Sequence, residues 1–352
     1  MINRLQRLPQ GPRIVIFSFM VIGGVLLLGG LTLALLVLTL NSSPRQTARA
    51  LVETVTIAQF AALPGDDAFP STVDVGPDGA VYTASYSTGA LWSLSPDART
   101  ITEIPNTRDT FDSVSALAVR PDNTLLVVAY TGGEAGAWAV HSVTPGGQIA
   151  LFGAPNDAQG FVSPFDIALD PDGAAYVVDR ARAEIWRWPS PGAAPELWWS
   201  LLTTPIDSAS PEGGPTPAPL GRPAPTGIAY DPSTDALVVT DPDSNTIVRI
   251  PRDRSAAQIV FRSLDTRFPP GLDGIVVAPD GTLYVTALDQ KGLARVSSPT
   301  ELTYISGGFR GPSDLAFTPD GRLIVANFDS AALVQPGIRP QLPFALDILT
   351  FQ

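Results

Sequence analysis

The chain has 352 residues, no cysteine and a formal net charge of −12. This acidic balance argues against nucleic acid as a partner, because phosphate binding needs a basic surface. The lack of cysteine excludes disulfides, thiolate metal sites and cysteine nucleophiles.

The first predicted element is a transmembrane helix over residues 14–40. No charged residue occurs in this run, and 18 of its 27 residues are Leu, Ile, Val or Phe. A run of this length exceeds the apolar core of a signal peptide, so an uncleaved anchor is expected rather than cleavage after Ala50. Three arginines precede the run and two follow it. This bias predicts a cytoplasmic N-terminus at 1–13, a cell-membrane location and an extracytoplasmic domain after a linker at 41–52.

The rest of the chain, residues 53–352, contains six units that share one type of hairpin turn. Proline presets φ in such a turn, and the glycine two residues later accepts a left-handed backbone. The turns are Pro77-Asp78-Gly79, Pro121-Asp122-Asn123, Pro171-Asp172-Gly173, Pro232-Ser233-Thr234-Asp235, Pro279-Asp280-Gly281 and Pro319-Asp320-Gly321. Successive turn prolines are 44, 50, 61, 47 and 40 residues apart. This spacing is typical of four-stranded blades and predicts an all-β, six-bladed β-propeller.

Each unit has the pattern of a blade. Apolar residues stand four and two positions before the proline, which indicates an inner strand, and a continuous apolar run after the turn indicates a buried second strand. The last unit lacks an outer strand. We therefore predict that residues 54–60 complete the blade whose third strand is the C-terminal ALDILTF, which closes the ring. Residues 190–224 form a Pro- and Gly-rich insertion, in which Trp198 and Trp199 are expected to pack on an outer strand and the following loop to lie beside the channel mouth.

Polar residues recur where first strands begin and where second strands end. Both places lie at the same end of a propeller, so these side chains are predicted to ring the mouth of the central channel. They are Ser71, Asp166, Thr226, Asp273 and Asp314 at first-strand starts, and Asp179, Asp241 and Asn327 at second-strand ends. For each one the alternative is a turn residue that accepts backbone N–H groups.

As a group, the aspartates at the mouth suggest a cation site. Two carboxylates about 6 Å apart repel by about 3 kcal/mol at an effective dielectric near 20, and a hard cation or a raised pKa relieves that repulsion. We therefore expect weak Ca²⁺ binding by Asp273, Asp166 and Asp314. The only histidine, His141, lies in a predicted third strand and is expected to be an ordinary strand residue rather than a catalytic base.

Two stretches, PFDIALDPDGAAYVVDRARAEIW (164–186) and PTGIAYDPSTDALVVTDPDSNTIVRI (225–250), resemble NHL repeats. Together with GLDGIVVAPDG and PSDLAFTPDG they also resemble the gluconolactonase, senescence marker protein and luciferin-regenerating enzyme family of six-bladed propellers. The resemblance implies a divalent cation, commonly calcium, held at the channel mouth by a Glu, an Asn and an Asp. Here Ser71 stands at the Glu position and Thr226 at the Asn position, while Asp273 matches the Asp.

Two functions of different class remain open. The first is a membrane-anchored extracytoplasmic propeller that binds a small molecule, a glycan or a protein at its mouth without chemistry. The second is a metal-dependent lactonase or esterase, with Asp273 as its catalytic and metal-binding residue. The replaced Glu and Asn favour the first, and the acidic mouth keeps the second open.

Overall fold

The computed structural model describes residues 10–41, 47–203, 206–207, 222–265 and 267–352. The chain divides into two units, an N-terminal unit that also takes in Ala331–Arg339, and a larger unit formed by Gln46–Ser330 and Pro340–Gln352. The units are described separately.

The N-terminal unit contains helix α1, Gln10–Asn41. Its sequence is rich in leucine, which keeps most of its rotamer freedom in a helix. The Thr32 hydroxyl donates back to the Leu28 carbonyl over 2.7 Å, as a polar side chain does on an apolar helix. The helix predicted over 14–40 is thereby confirmed. Among the helices of the described residues, none has both the length and the apolar content that a bilayer crossing requires.

The larger unit is a β-propeller of six blades, which confirms the predicted fold. The strands of each blade are given from the innermost to the outermost. Blade 1 is β3 (Pro70–Val75), β4 (Val81–Ser85), β5 (Leu91–Leu94) and β6 (Ile101–Glu103), and blade 2 is β7 (Ser113–Val119), β8 (Leu125–Thr131), β9 (Ala137–Val143) and β10 (Ile149–Gly153). Blade 3 is β11 (Pro164–Leu169), β12 (Ala175–Asp179), β13 (Glu184–Trp188) and β14 (Glu196–Ser200). Blade 4 is β16 (Ile228–Asp231), β17 (Ala236–Asp241), β18 (Thr246–Pro251) and β19 (Ala257–Arg262); blade 5 is β20 (Leu272–Val277), β21 (Leu283–Ala287), β22 (Gly292–Ser298) and β23 (Glu301–Gly307); blade 6 is β24 (Pro312–Phe317), β25 (Leu323–Asn327), β26 (Ala345–Phe351) and β2 (Val55–Ala62).

Two short strands, two short α-helices and one 3₁₀ helix (Gly133–Ala135) complete the elements of the described residues. Strand β1 (Arg49–Ala50) pairs with β23, and β15 (Ile206–Asp207) pairs with β19. Helix α2 is Thr107–Thr110 and helix α3 is Ala331–Val334.

The six first strands form the wall of the channel. Each contacts the first strand of the next blade, and β24 contacts β3, so the ring is closed. We call the end where first strands begin and second strands finish the mouth end, and the end with the Pro-Asp-Gly turns the turn end. At the turn end Gly281 has φ +84° and its N–H bonds to the Ala278 carbonyl, as the turn chemistry predicts.

The predicted closure by the N-terminal strand is also confirmed. Strand β2 pairs antiparallel with β26, from Val55 opposite Phe351 to Ala62 opposite Ala345. Blade 6 is therefore built from both ends of the propeller sequence. The pairing removes the edge that β26 would otherwise expose.

Large side chains fill the spaces between neighbouring blades. Between blades 3 and 4 the rings of Tyr176 and Trp198 meet edge to face, with centroids 5.1 Å apart, and Trp199 is buried beside them. These tryptophans lie on the outer strand β14, which confirms their predicted packing role. The loop predicted to lie beside the mouth falls mostly outside the described residues.

Candidate functional site: the mouth of the central channel

The first strands of blades 4, 5 and 6 approach each other closely. A Cβ atom at Gly227 would lie 2.3 Å from the Asp273 carbonyl oxygen, and one at Gly274 would lie 2.5 Å from the Ser313 carbonyl oxygen. Glycine is therefore required at both positions, since any side chain would push the neighbouring strand away. The close approach brings Thr226 and Asp273 together at the mouth end.

Elsewhere in the ring, aspartates join one blade to the next. The Asp314 carboxylate of blade 6 accepts a hydrogen bond from its neighbour Leu315 N at 2.8 Å. Its other oxygen accepts bonds from Val73 N and from Thr72 Oγ1 of blade 1, each at 2.8 Å. Thr72 Oγ1 in turn accepts from Leu117 N of blade 2 at 3.2 Å. Asp314 thus holds together blades 6 and 1, where the ring closes.

Asp166 and Asp74 repeat this arrangement. In blade 3 one Asp166 oxygen accepts from Ile167 N at 2.7 Å and the other from Ile228 N of blade 4 at 2.8 Å. In blade 1 one Asp74 oxygen accepts from Val75 N at 2.8 Å and the other from Val119 N of blade 2 at 2.7 Å. We call Asp74, Asp166 and Asp314 the bridging aspartates.

Asp273 differs from the bridging aspartates. No backbone N–H among the described residues donates to its carboxylate, and the nearby Thr226 hydroxyl lowers its pKa. Like the three bridging aspartates, Asp273 is partly exposed. Because its oxygens are not used by the fold, Asp273 is the channel carboxylate that is free to bind a ligand.

All four carboxylates have raised pKa values. Burial in the channel wall is the largest cause in each case, and it raises the pKa of Asp74 to about 7. Burial and the neighbouring Asp314 charge raise the pKa of Asp273 to about 7 and hold that of Asp166 well above its ordinary value. For Asp314 burial raises the pKa to about 6, against the lowering effect of its hydrogen bonds. Near neutral pH the channel therefore takes up protons.

The charge of an arginine at the mouth end, Arg180, acts on Asp273. The Arg180 charge lowers the Asp273 pKa in part, and Arg180 Nη2 pairs with Asp243 Oδ1 at 2.9 Å. The same guanidinium stands 5.5 Å from the Phe165 ring centroid. The mouth end thus carries an acid, a cation and an aromatic ring.

Five of the predicted site residues use their polar atoms within the protein. Asp179 accepts from Val162 N, Ser163 N and Arg182 N, and Asp241 accepts from Asp243 N and Ser244 N. Asn327 accepts from Arg310 N and donates to the Ala345 carbonyl and to Asp347. Ser71 donates to the Val114 carbonyl at 2.9 Å, and Thr226 is hydrogen-bonded to Thr240. All five are buried, with Asp179 fully so. The oxygens of Asp179, Asp241 and Asn327 secure loops at the mouth end, and their contact with a ligand stays a prediction.

The predicted three-carboxylate cation site is not preformed. Within the part of the chain that the structure describes, no three His, Cys, Asp or Glu side chains gather closely enough to hold a metal ion. The physical reason is that Asp166 and Asp314 direct their oxygens to backbone N–H groups of blades 4 and 1. Asp273 alone keeps a free carboxylate, so any cation would have to complete its shell with neutral oxygens.

The sequence analysis missed Asp74 as a channel carboxylate. It stands between two inward-packing residues, Val73 and Val75, at a position that we interpreted only as a small spacer. Strand alternation could have revealed it, because a residue between two core-facing positions faces the channel instead.

His141 does not belong to the site. It lies on the third strand β9, buried, with its ring centroid 5.1 Å from that of Phe111. Burial lowers its pKa, which keeps it neutral. The expectation of an ordinary strand histidine agrees with this packing.

The channel carboxylates predict an unusual pH dependence of stability. The carboxyl groups of Asp74, Asp273 and Asp314 have a pKa of 3.8 in the unfolded chain and of about 6 to 7 in the folded protein. Between these values the folded state binds more protons, so stability falls as the pH rises through this window. We expect the Tm at pH 5.5 to exceed that at pH 8 by roughly 2–6 °C. Calorimetric melts at the two pH values measure this difference in Tm. The difference should be smaller in the Asp273→Asn variant. A wild-type Tm that falls steadily from pH 8 to 5.5 would contradict it.

Comparison with known proteins supports the fold. No family model matches the sequence, and no curated protein matches it. A gluconolactonase from Xanthomonas campestris superposes with a TM-score of 0.60 at 15% identity, over 88% of this chain and 99% of that chain. A catalytically inactive histidine-to-alanine variant of virginiamycin B lyase from Staphylococcus aureus, crystallised with quinupristin, gives 0.55 at 16% identity, over 85% and 100%. At these identities the likeness establishes a shared six-bladed fold. The resemblance to NHL repeats and to the other members of the predicted family stays a prediction.

Proposed function

We propose that the protein is a membrane-anchored extracytoplasmic propeller that binds a small polyhydroxylated molecule, of the sugar or sugar-acid class, at its channel mouth. The observation that carries the proposal is the Asp273 carboxylate. It is partly exposed in a closed ring of strands and receives no backbone N–H from the described residues, whereas the bridging aspartates all do.

The chemistry around Asp273 favours this ligand class. A carboxyl with a pKa of about 7 both donates and accepts hydrogen bonds near neutral pH, as hydroxyl groups require. Arg180, whose charge acts on Asp273, can donate to a carboxylate or ring oxygen at the mouth end, where the Phe165 ring centroid lies 5.5 Å from its guanidinium. A few convergent polar groups beside an aromatic face are typical of small-molecule sites.

Binding is tested by thermal melts with a panel of monosaccharides, polyols and aldonic acids. A ligand present at about 100 times its Kd stabilises by about 2.7 kcal/mol, which raises the Tm by roughly 5 °C. The variant Asp273→Asn keeps the size of the side chain but removes its charge and its titration, so it should lose most of this shift. If no compound shifts the wild type, or if the variant responds equally, binding at Asp273 is excluded.

A metal-dependent lactonase is the second candidate function. The observation that favours it is the pKa of Asp273, since a group that titrates near 7 is suited to general acid–base catalysis. A lyase mechanism that uses histidine is disfavoured, because His141 is buried on a third strand. The gluconolactonase-like fold is compatible with hydrolysis.

Calcium titration decides whether the hydrolase is retained. A cation held by Asp273 must raise the Tm by linkage, and Asp273→Ala must abolish that rise. Calorimetry and melts in calcium and in chelator measure both. If millimolar calcium does not shift the Tm of the wild type, the proposed metal site is excluded. The metal-dependent hydrolase is then excluded with it.

The proposed anchor is helix α1, with residues 1–13 in the cytoplasm and the propeller outside. The uncharged run and the arginines before it support this topology. Protease added to intact cells that express the full chain should remove the propeller. A propeller that is protected until the cells are lysed would show the opposite orientation.

A further inference from the structure

The six blades carry equivalent residues at one level of the channel mouth. Each of these residues stands six positions before the turn proline of its blade, at or near the start of the first strand. Because the blades repeat one another, the use of each side chain can be compared with that of the other five. The six residues are Ser71, Ser115, Phe165, Thr226, Asp273 and Ser313.

Three of the four hydroxyl groups at this level are hydrogen-bonded within the propeller. Ser71 and Thr226 use the same kind of acceptor, because each donates to a carbonyl of the next blade that stands seven positions before the turn proline of that blade. Such a bond occupies the hydroxyl and fixes its direction. The three bonds run from Ser71 to the Val114 carbonyl at 2.9 Å, from Thr226 to the Leu272 carbonyl at 3.3 Å and from Ser115 to the Val128 carbonyl at 3.5 Å.

The Ser313 hydroxyl is the exception. Its equivalent acceptor would be the Pro70 carbonyl of blade 1, but no hydrogen-bond partner among the described residues reaches the Ser313 oxygen. This oxygen is buried, while the residue as a whole is partly exposed. A buried hydroxyl without a partner costs free energy, so few such groups persist in native proteins without a reason. Because no acceptor holds the hydroxyl in place, rotation about χ1 can turn it into the channel.

Ser313 lies beside Asp273, whose carboxylate accepts no backbone N–H from the described residues. A Cβ atom at Gly274, the residue after Asp273, would lie 2.5 Å from the Ser313 carbonyl oxygen. Burial raises the pKa of Asp273, and the charge of Asp314, the residue after Ser313, raises it further. The hydroxyl and the carboxylate that the fold leaves unused at this level are therefore on neighbouring first strands, in blades 6 and 5.

We infer that Ser313 is a ligand-binding residue and that, together with Asp273, it recognises two adjacent hydroxyl groups of one small molecule. The inference rests on the proposed function of the channel mouth and narrows its ligand to molecules with a vicinal diol. The Asp273 carboxyl binds one hydroxyl, and the Ser313 hydroxyl both donates to and accepts from the next one. Because the two strands touch at Gly274, the two side chains start close together and reach neighbouring groups rather than opposite ends of a ligand.

Serine variants at equivalent positions of different blades test the assignment. Binding of sorbitol, D-glucose and D-gluconate to the full chain is measured by calorimetry. Loss of one hydrogen bond to the ligand should weaken binding about three- to tenfold in Ser313→Ala. Ser115→Ala removes the same atom from blade 2 and should bind these compounds as the wild type does.

The stability of the unliganded variants gives a second readout. The Tm of Ser313→Ala should equal or exceed that of the wild type, because the Ser313 hydroxyl has no protein partner to lose. Ser71→Ala should melt at a lower temperature, because it loses the bond to the Val114 carbonyl.

Two isomeric diols test whether the site selects adjacent hydroxyls. In cis-cyclohexane-1,2-diol and cis-cyclohexane-1,4-diol the atoms are the same and only the spacing of the hydroxyls differs. The 1,2 isomer should bind the wild type several-fold more tightly than the 1,4 isomer. Ser313→Ala should lose this preference.

The outcomes separate this inference from the proposed function. If sorbitol, D-glucose and D-gluconate do not bind the wild type, both fail. If they bind the wild type and Ser313→Ala equally but lose affinity in Asp273→Asn, the proposed function stands and Ser313 is a hydrated residue of the channel wall. Equal weakening by Ser313→Ala and Ser115→Ala would show an effect on the ring of strands rather than a contact, and would overturn the assignment. Equal binding of the two cyclohexanediols, or binding of neither, would show that the site does not select adjacent hydroxyls.

Discussion

A chain that begins at Pro64 is expected to unfold at least about 10 °C below a chain that begins at Leu51. The shorter chain lacks β2, which pairs with β26 from Val55 to Ala62. It loses a ladder of hydrogen bonds, each worth about 1 kcal/mol net, together with the burial of Val55 and Ala61. For a domain of this size each kcal/mol shifts the Tm by roughly 2–3 °C.

The comparison is matched because both chains lack α1 and β1, so only the closing strand differs. Thermal melts followed by circular dichroism give the result. If the shorter chain aggregates, a synthetic peptide of residues 51–63 added during refolding should restore a soluble propeller, since the missing strand can pair in trans. Equal melting temperatures without the peptide would show that the pairing of β2 with β26 does not stabilise the ring.

Much of the fold followed from local chemistry. The turn of Pro279, Asp280 and Gly281 predicted a hairpin because its backbone requirements are met by those three residues alone. Five further turns of this kind set the number of blades, and the missing outer strand of the last unit predicted closure by the N-terminal segment. Each of these inferences depended on residues that are close in sequence or on an edge that had to be covered.

The roles of the channel aspartates could not be predicted in the same way. Asp273 stands six residues before its turn proline, while Asp166 and Asp314 stand five residues before theirs. A shift of one residue on a strand reverses the direction of the side chain, so the two sets meet different neighbours. The sequence showed this offset, but it did not show which backbone donors the next blade presents, because they lie some 60 residues away from Asp166 and at the other end of the chain from Asp314.

The site therefore combines one residue that the resemblance identified with others that only the structure explains. Asp273 matches the family position, and it is the carboxylate that the fold leaves free. Asp166 and Asp314 were predicted as cation ligands, but their oxygens accept backbone N–H groups. The same residue type at neighbouring positions thus either joins two blades through backbone N–H groups or receives none of them, and the availability of donors decides between the two.

This distinction predicts that Asp314→Ala destabilises the propeller much more than Asp273→Ala does. Removing the Asp314 carboxylate leaves Val73 N, Leu315 N and Thr72 Oγ1 without their acceptor at the junction of blades 6 and 1. An unsatisfied buried donor costs about 1–3 kcal/mol, and relief of the repulsion from the other carboxylates offsets part of this loss. We expect a net loss of about 2–4 kcal/mol and a Tm lower by roughly 4–10 °C.

Removal of the Asp273 carboxylate leaves no backbone N–H group without its acceptor. It also takes one negative charge out of an acidic channel. The Tm of the Asp273→Ala variant should stay within about 2 °C of the wild-type Tm at pH 8. Any change should be an increase, because relief of charge repulsion is the main effect. The two variants delete the same atoms from first strands of neighbouring blades, so the change in formal net charge is matched. Denaturant melts with equal m-values confirm that the comparison is between folded states. If Asp273→Ala proved as destabilising as Asp314→Ala, Asp273 would be a bridging residue like the others, and the case for a ligand at the mouth would lose its main support.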